Sequence, residues 1–239
     1  MTDRLDPERV RLTLQHVARY RLTTPEAVRT VPALRLKTNA NALAWLRRLV
    51  AAGRLGEAPL DHHGSYFHLT ERGARDVRRK PHRGSRHAGP LSESAKARAF
   101  ALLAFCRLSG INRERLWPDE LRKVVPGFDP VGSASTYCAE RTDDSRKLGF
   151  VRVDAGGFGR WDRILATLAA DLRSVAAEPA LRTLIAARAF EVTLVTVTPE
   201  KAERLRTALA EIAASAVPVR VVAVPRLLAL MGTIRAPPH

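Results

Sequence analysis

The stretch that most constrains this chain is residues 38–79, TNANALAWLRRLVAAGRLGEAPLDHHGSYFHLTERGARDVRR. Thr38 is a cap residue, and Leu43, Leu46, Leu49 and Val50 recur at helical spacing as an inner stripe. Gly53 ends the helix as a left-handed cap. Arg54–Leu60 and Ser65–Leu69 then pair as a hairpin, with Asp61-His62-His63-Gly64 at the turn. Thr70-Glu71 opens another helix. Trp45 reads as a packing residue. Tyr66 and Phe67 alternate along a strand, so one is expected inside and the other partly exposed.

Helix, strand, basic-tipped turn, strand, helix is the order of a winged helix-turn-helix. Two shorter signals precede it. Residues 7–20 carry Val10, Leu12, Leu14, Val17 and Ala18 at roughly helical spacing behind Pro7, and Thr24-Pro25-Glu26 starts a second helix through Val31. A helix that enters the major groove buries one face and presents polar side chains from the other. Asn39, Asn41, Arg47 and Arg48 lie off the apolar stripe, and Arg35, Lys37 and the cap Thr38 stand at the helix start. Asn pairs bidentately with adenine and Arg with guanine.

Charge has the sign that nucleic acid requires. The net charge is +16, of which residues 1–90, with 18 basic and 8 acidic side chains, contribute +10. His62 and His63 at the hairpin tip, and Arg79, Lys80, Arg83 and Arg86 in the Pro/Gly/Ser-rich segment 79–92, are further candidates for phosphate contact. That segment also reads as a linker. Asp61, His62, His63 and His68 lack a Cys or a spaced carboxylate set to complete a tetrahedral metal shell, so no metal is expected there. Cys106 and Cys138 do not form a disulfide framework and read as buried apolar residues. With no apolar run of membrane-span length and no visible signal peptide, the expectation is a cytoplasmic, nucleoid-associated protein.

Residues 93–239 read as a second, α/β domain. A helix covers Glu93–Leu108. Irregular sequence covers about 110–134, strands are expected at Ala134–Ala139 and Phe150–Val153, and helix runs from Trp161 to about Ala187 with an interruption near Glu178-Pro179. FEVTLVTV (190–197), a helix from Pro199 to Ala214, and VPVRVVAV (217–224) make a strand–helix–strand unit with buried, parallel strands.

The pattern G-R-L…Y-F-H-L-T-E-R-G-A-R (53–75), with V-R-V-D-A-G-G (151–157), 192–209 and 217–224, resembles the plasmid replication-relaxation proteins. That group includes accessory mobilisation proteins of conjugative elements. The resemblance implies a winged helix joined to a domain related to the PD-(D/E)xK nuclease fold, whose strand carries Glu-x-Asp-x-Gly before a helix with a Lys. This chain departs where the chemistry would sit. Arg152 stands in place of the Glu, Asp154 and Gly156 remain, and the helix WDRILATLAADLRSV has no Lys. Clustered carboxylates are what a divalent metal needs, and a cation repels it.

The expectation is a mixed α/β (α+β) chain: residues 1–78 a winged helix-turn-helix, 79–92 a basic linker, and 93–239 a degenerate restriction-endonuclease-like domain for dimerisation or partner binding. Its function reads as non-catalytic, sequence-specific binding of double-stranded DNA by a homodimer, without metal or cofactor. It would act as a regulator or as an accessory factor of a mobile element. The alternatives are a metal-dependent nuclease using Asp119, Glu140 and Asp154, or a protein adaptor in a DNA-processing complex.

Overall fold

The chain is mixed α/β and divides into two compact units, Met1–Ala104 and Phe105–His239. The computed structural model describes residues 5–61, 64–77, 88–128, 136–141, 146–154, 161–212 and 216–232. His62, His63, Arg79, Lys80, Arg83 and Arg86 therefore lie outside the described residues.

The first unit opens with α1 (Pro7–Tyr20) and α2 (Pro25–Arg29), each preceded by a side-chain cap and started by proline. Asp6 accepts from the Glu8 amide and Thr24 from the Ala27 amide. A 3-10 turn, Pro32–Leu34, leads to α3 (Asn39–Ala51), whose first turn is capped by Thr38. Gly53 ends α3 with φ of 69°, a conformation that carries no Cβ penalty in glycine. Strands β1 (Leu55–Asp61) and β2 (Gly64–Leu69) pair antiparallel from Leu55↔Leu69, with an irregularity between Pro59 and Asp61. Thr23 and Phe67 add a bridge on the free side of β2, each amide donating to the other's carbonyl at 2.9 Å. Then α4 (Glu71–Asp76) and α5 (Glu93–Leu103) complete the unit.

Two expectations from periodicity are corrected here. The buried stripe of α3 is Ala42, Trp45, Leu46 and Leu49, while Leu43 and Val50 are only partly buried. The stripe turns towards Trp45 because its indole N–H donates to Thr13 of α1 at 2.9 Å, inside the core. Tyr66 and Phe67 are both buried, not one. Both faces of β2 are covered: Tyr66 accepts the Leu91 amide at 2.9 Å, and Ala88 bridges Leu69, so the end of the segment expected to be a linker packs on β2.

Gly73 of α4 is required for a different reason from Gly53. A Cβ there would stand well inside contact distance of the Arg54 carbonyl oxygen, a backbone atom that cannot swing away. Thr70 fixes this approach by donating to the Gly53 and Arg54 carbonyls and accepting from the Gly73 amide. Gly73→Ala is therefore expected to destabilise the chain by about 1–3 kcal/mol, despite the better helix propensity of alanine. A rise in melting temperature would contradict that close approach.

The second unit is a five-stranded sheet in the order β3 (Arg113–Arg115), β4 (Thr136–Arg141), β5 (Arg146–Val153), β6 (Phe190–Thr196), β7 (Val219–Ala223). β3, β4 and β5 pair antiparallel, whereas β5, β6 and β7 run parallel, as the Val-rich 190–197 and 217–224 segments predict. Helices α7 (Trp161–Ala177) and α9 (Pro199–Ile212) supply Leu168, Leu172, Ala202 and Leu205 to a core with Phe150, Val192, Leu194 and Val221. Between them lie the 3-10 turn Pro179–Leu181 and α8 (Arg182–Ala186), so the break at Pro179 is as expected. The 110–134 stretch is not wholly irregular: it contains β3 and α6 (Pro118–Val124). β4 is described from Thr136, Ala134 and Ser135 lying outside the described residues, and β5 starts four residues earlier than expected. α10 (Arg226–Gly232) follows β7.

The open side of β7 is partly closed by a side chain. The Val192 amide donates to the Pro218 carbonyl, so even-numbered residues of β7 face β6 and the Val221 carbonyl faces away. Arg206 of α9 donates to that carbonyl at 3.0 Å.

Candidate nucleic-acid interface

The outward face of α3 follows from its helical spacing. Asn41, Ala44 and Arg48 succeed one another at intervals of three and four residues, Ala40 and Arg47 lie beside them, and Lys37 stands just before the Thr38 cap. All six are exposed. The middle of the face is alanine, so the helix backbone can approach a surface while longer polar side chains flank the contact. Thr38 holds the first turn by accepting from the Asn41 amide at 3.1 Å. Arg35, also exposed, has φ of 50°, a left-handed conformation uncommon for a residue with a side chain.

The structure thus gathers Lys37, Asn41, Arg47 and Arg48. Asn39 does not join them. It is exposed, but five residues from Ala44 it lies about 140° round the helix.

The two arginines differ in what holds them. Arg47 reaches Glu57 of β1, at 3.3 Å to Oε1 and 3.4 Å to Oε2, with side-chain exposures of 60% and 26%. An exposed pair of this kind is worth about 0–1 kcal/mol, so it steers the side chain without locking it. Arg48 lies over the Trp45 ring, its guanidinium carbon 5.6 Å from the centroid, and Arg9 of α1 covers the same ring at 4.6 Å. The spacing that gives Arg47 and Arg48 says nothing of Glu57, whose position opposite Arg47 comes from the hairpin.

The hairpin is braced from beneath. Lys96 of α5 is 6% exposed, ion-pairs with Glu93 at 2.9 Å and donates to the Pro59 carbonyl at 3.4 Å, beside the irregularity in β1. His68 is buried, pairs in register with Gly56 and lies near the Leu69 carbonyl, at the end of β2 away from the turn. It is therefore separated from Asp61, with which sequence position had associated it.

In the second unit the carboxylates of the nuclease alternative are dispersed. Glu140 pairs with Lys147 in register, and Asp154 lies seven residues further along β5, about 23 Å away. Asp119 belongs to the first turn of α6. Each sheet carboxylate is also held by a cation. Glu140 meets Arg113 at 2.7 Å and Arg220 at 3.5 Å, and Arg220 also meets Glu191 at 2.9 Å. Arg152 forms a two-bond pair with Asp171 of α7.

Asp154 lies 2.5 Å from Lys201 of α9, with side-chain exposures of 5% and 1%, and accepts from Thr196 at 3.2 Å. The lysine beside Asp154 thus comes from α9 and not from α7. Only the run T-P-E-K at a helix start could have drawn attention to it. Among the described residues, no three His, Cys, Asp or Glu side chains form a metal-holding group, and no helix is long and apolar enough to cross a membrane. Comparison with family models, with curated proteins and with solved structures returned no match.

Proposed function

We propose that this chain is a sequence-specific, double-stranded DNA-binding protein, its first unit a winged helix-turn-helix with α3 as the recognition helix. The observation that carries the reading is the exposed face of α3, where Asn41, Arg47 and Arg48 flank an alanine floor, Lys37 stands just before the helix, and the helix itself contains no acidic residue. The order α1–α2–α3–β1–β2 and the Thr23–Phe67 bridge, which gives the hairpin a third strand contact, support it. In this reading Arg35 and Lys37 contact phosphate, while His62, His63, Arg79, Lys80, Arg83 and Arg86 extend the basic track from outside the described residues.

The second unit is proposed to be a variant of the restriction-endonuclease-like fold that dimerises or binds a partner. A strand ending just before Asp154, followed by a helix and then a parallel strand–helix–strand unit, is the order that the resemblance to replication-relaxation proteins implies. The dispersal of its carboxylates onto Arg and Lys partners favours binding over metal-dependent cleavage.

Selection from a pool of random duplexes with the purified full chain tests this reading. The expected result is one enriched motif, repeated as an inverted pair if the protein is dimeric. Binding without enrichment would remove sequence reading, and no binding at low salt would favour the adaptor. Affinity should fall with salt, and Lys37→Ala should flatten the logarithmic slope by about one. An unchanged slope would place Lys37 off the phosphates.

A further inference from the structure

The chain has two cysteines, and the fold brings them together. Cys106 belongs to the π-helical segment Ala104–Leu108 and Cys138 to β4. Their sulfurs lie 3.3 Å apart, both side chains buried, 32 positions apart in sequence. Cys138 does not face solid core. It lines a cavity of ≈ 10 Å³, large enough for one water, with Phe105, Arg113, Glu140 and Lys147. Arg113 is 3% exposed, and its Nη2 has no hydrogen-bond partner. Thiols in contact, a cavity about the size of one water and an unpaired buried guanidinium N–H meet within one unit.

We infer that Cys106 and Cys138 form a reversible dithiol–disulfide site that takes hydrogen peroxide as its oxidant. The Cys138 sulfur attacks one peroxide oxygen: an S–O bond forms, the O–O bond breaks, and the released hydroxide leaves as water with the thiol proton. The Cys106 sulfur then displaces the hydroxyl from the sulfenic acid. The S–S bond forms, the S–O bond breaks and a second water carries off the remaining proton. Both sulfurs are oxidised and one peroxide is reduced to two waters. Arg113 Nη2 is placed to donate a hydrogen bond to an oxygen in the cavity.

Burial pushes the Cys138 thiol well up, and the Cys106 thiol adds to this, against Arg115 and Arg113. Cys138 therefore reacts as a poorly ionised thiol and responds to excess oxidant rather than to traces.

The test treats the full chain with hydrogen peroxide, denatures it, adds an alkylating agent and reads the intact mass without reductant. The expected product is monomeric, lighter by two hydrogens and unalkylated, has an unchanged far-UV circular dichroism spectrum before denaturation, and regains two alkylatable thiols after reduction. In Cys106→Ser, dimedone should trap a sulfenic acid on Cys138. Two alkylated cysteines after peroxide, a product dominated by disulfide-linked dimers, or a disulfide found only in chains that have lost their spectrum would overturn the inference. Trapping on Cys106 in Cys138→Ser, with none on Cys138 in Cys106→Ser, would overturn the assigned order of attack.

Discussion

Lys201→Met is expected to destabilise the second unit by about 3–5 kcal/mol, the usual cost of removing one partner from a buried ion pair. The methionine keeps most of the volume, so the loss is electrostatic. Asp154, 5% exposed on its side chain and accepting from the Thr196 hydroxyl, would lose the cation that faces it. The double change Asp154→Leu with Lys201→Met removes both charges and should recover most of the loss, because a well-packed apolar replacement of such a pair is often neutral or stabilising. Urea unfolding followed by tryptophan emission reads both variants, since Trp117 and Trp161 lie in this unit. A single variant within about 1 kcal/mol of the parent, at unchanged m, would mean that the pair is not desolvated as its burial indicates.

The second large effect concerns binding and should leave stability almost untouched. Asn41→Ala combined with Arg48→Ala is expected to cost about 2–6 kcal/mol of specific affinity, taking about 1–3 kcal/mol for each bidentate base contact. That is roughly thirtyfold to ten-thousandfold. Both side chains are exposed, so the melting temperature should change by little. Non-specific affinity, carried by the other cations, should fall far less, and that ratio distinguishes base reading from simple charge. Glu57→Gln should act in the opposite sense by releasing Arg47 from its carboxylate. Equal losses on specific and random duplexes after Asn41→Ala with Arg48→Ala would demote both residues to phosphate contacts.

Local signals were legible in this chain and long-range ones were not. Thr24, Thr38 and Thr70 announce helix starts because a cap bonds an amide three residues on, within the same short window. Gly53 is readable for the same reason. The stripe of α3 was misplaced by one position because Trp45 is drawn inward by Thr13, 32 residues away. Strand β3, Arg-Glu-Arg, has no apolar alternation to announce it, and Arg113 is buried only because Glu140 stands opposite it in the register. The site follows the same division. The polar face of α3 could be read from spacing, whereas Glu57 beside Arg47 and Lys201 beside Asp154 depend on strand pairing and helix packing that no window contains.

Arg206 at the edge of β7 sets a condition on assembly. A strand whose outward carbonyls are open invites a second chain to extend the sheet. Here the Val221 carbonyl already has a donor from its own molecule. Two copies joining β7 to β7 would first have to evict that guanidinium, which also pairs with Glu203 of its own helix. Extension of the sheet through β7 is therefore disfavoured. Chains carrying Arg206→Ala are the ones expected to stack edge to edge.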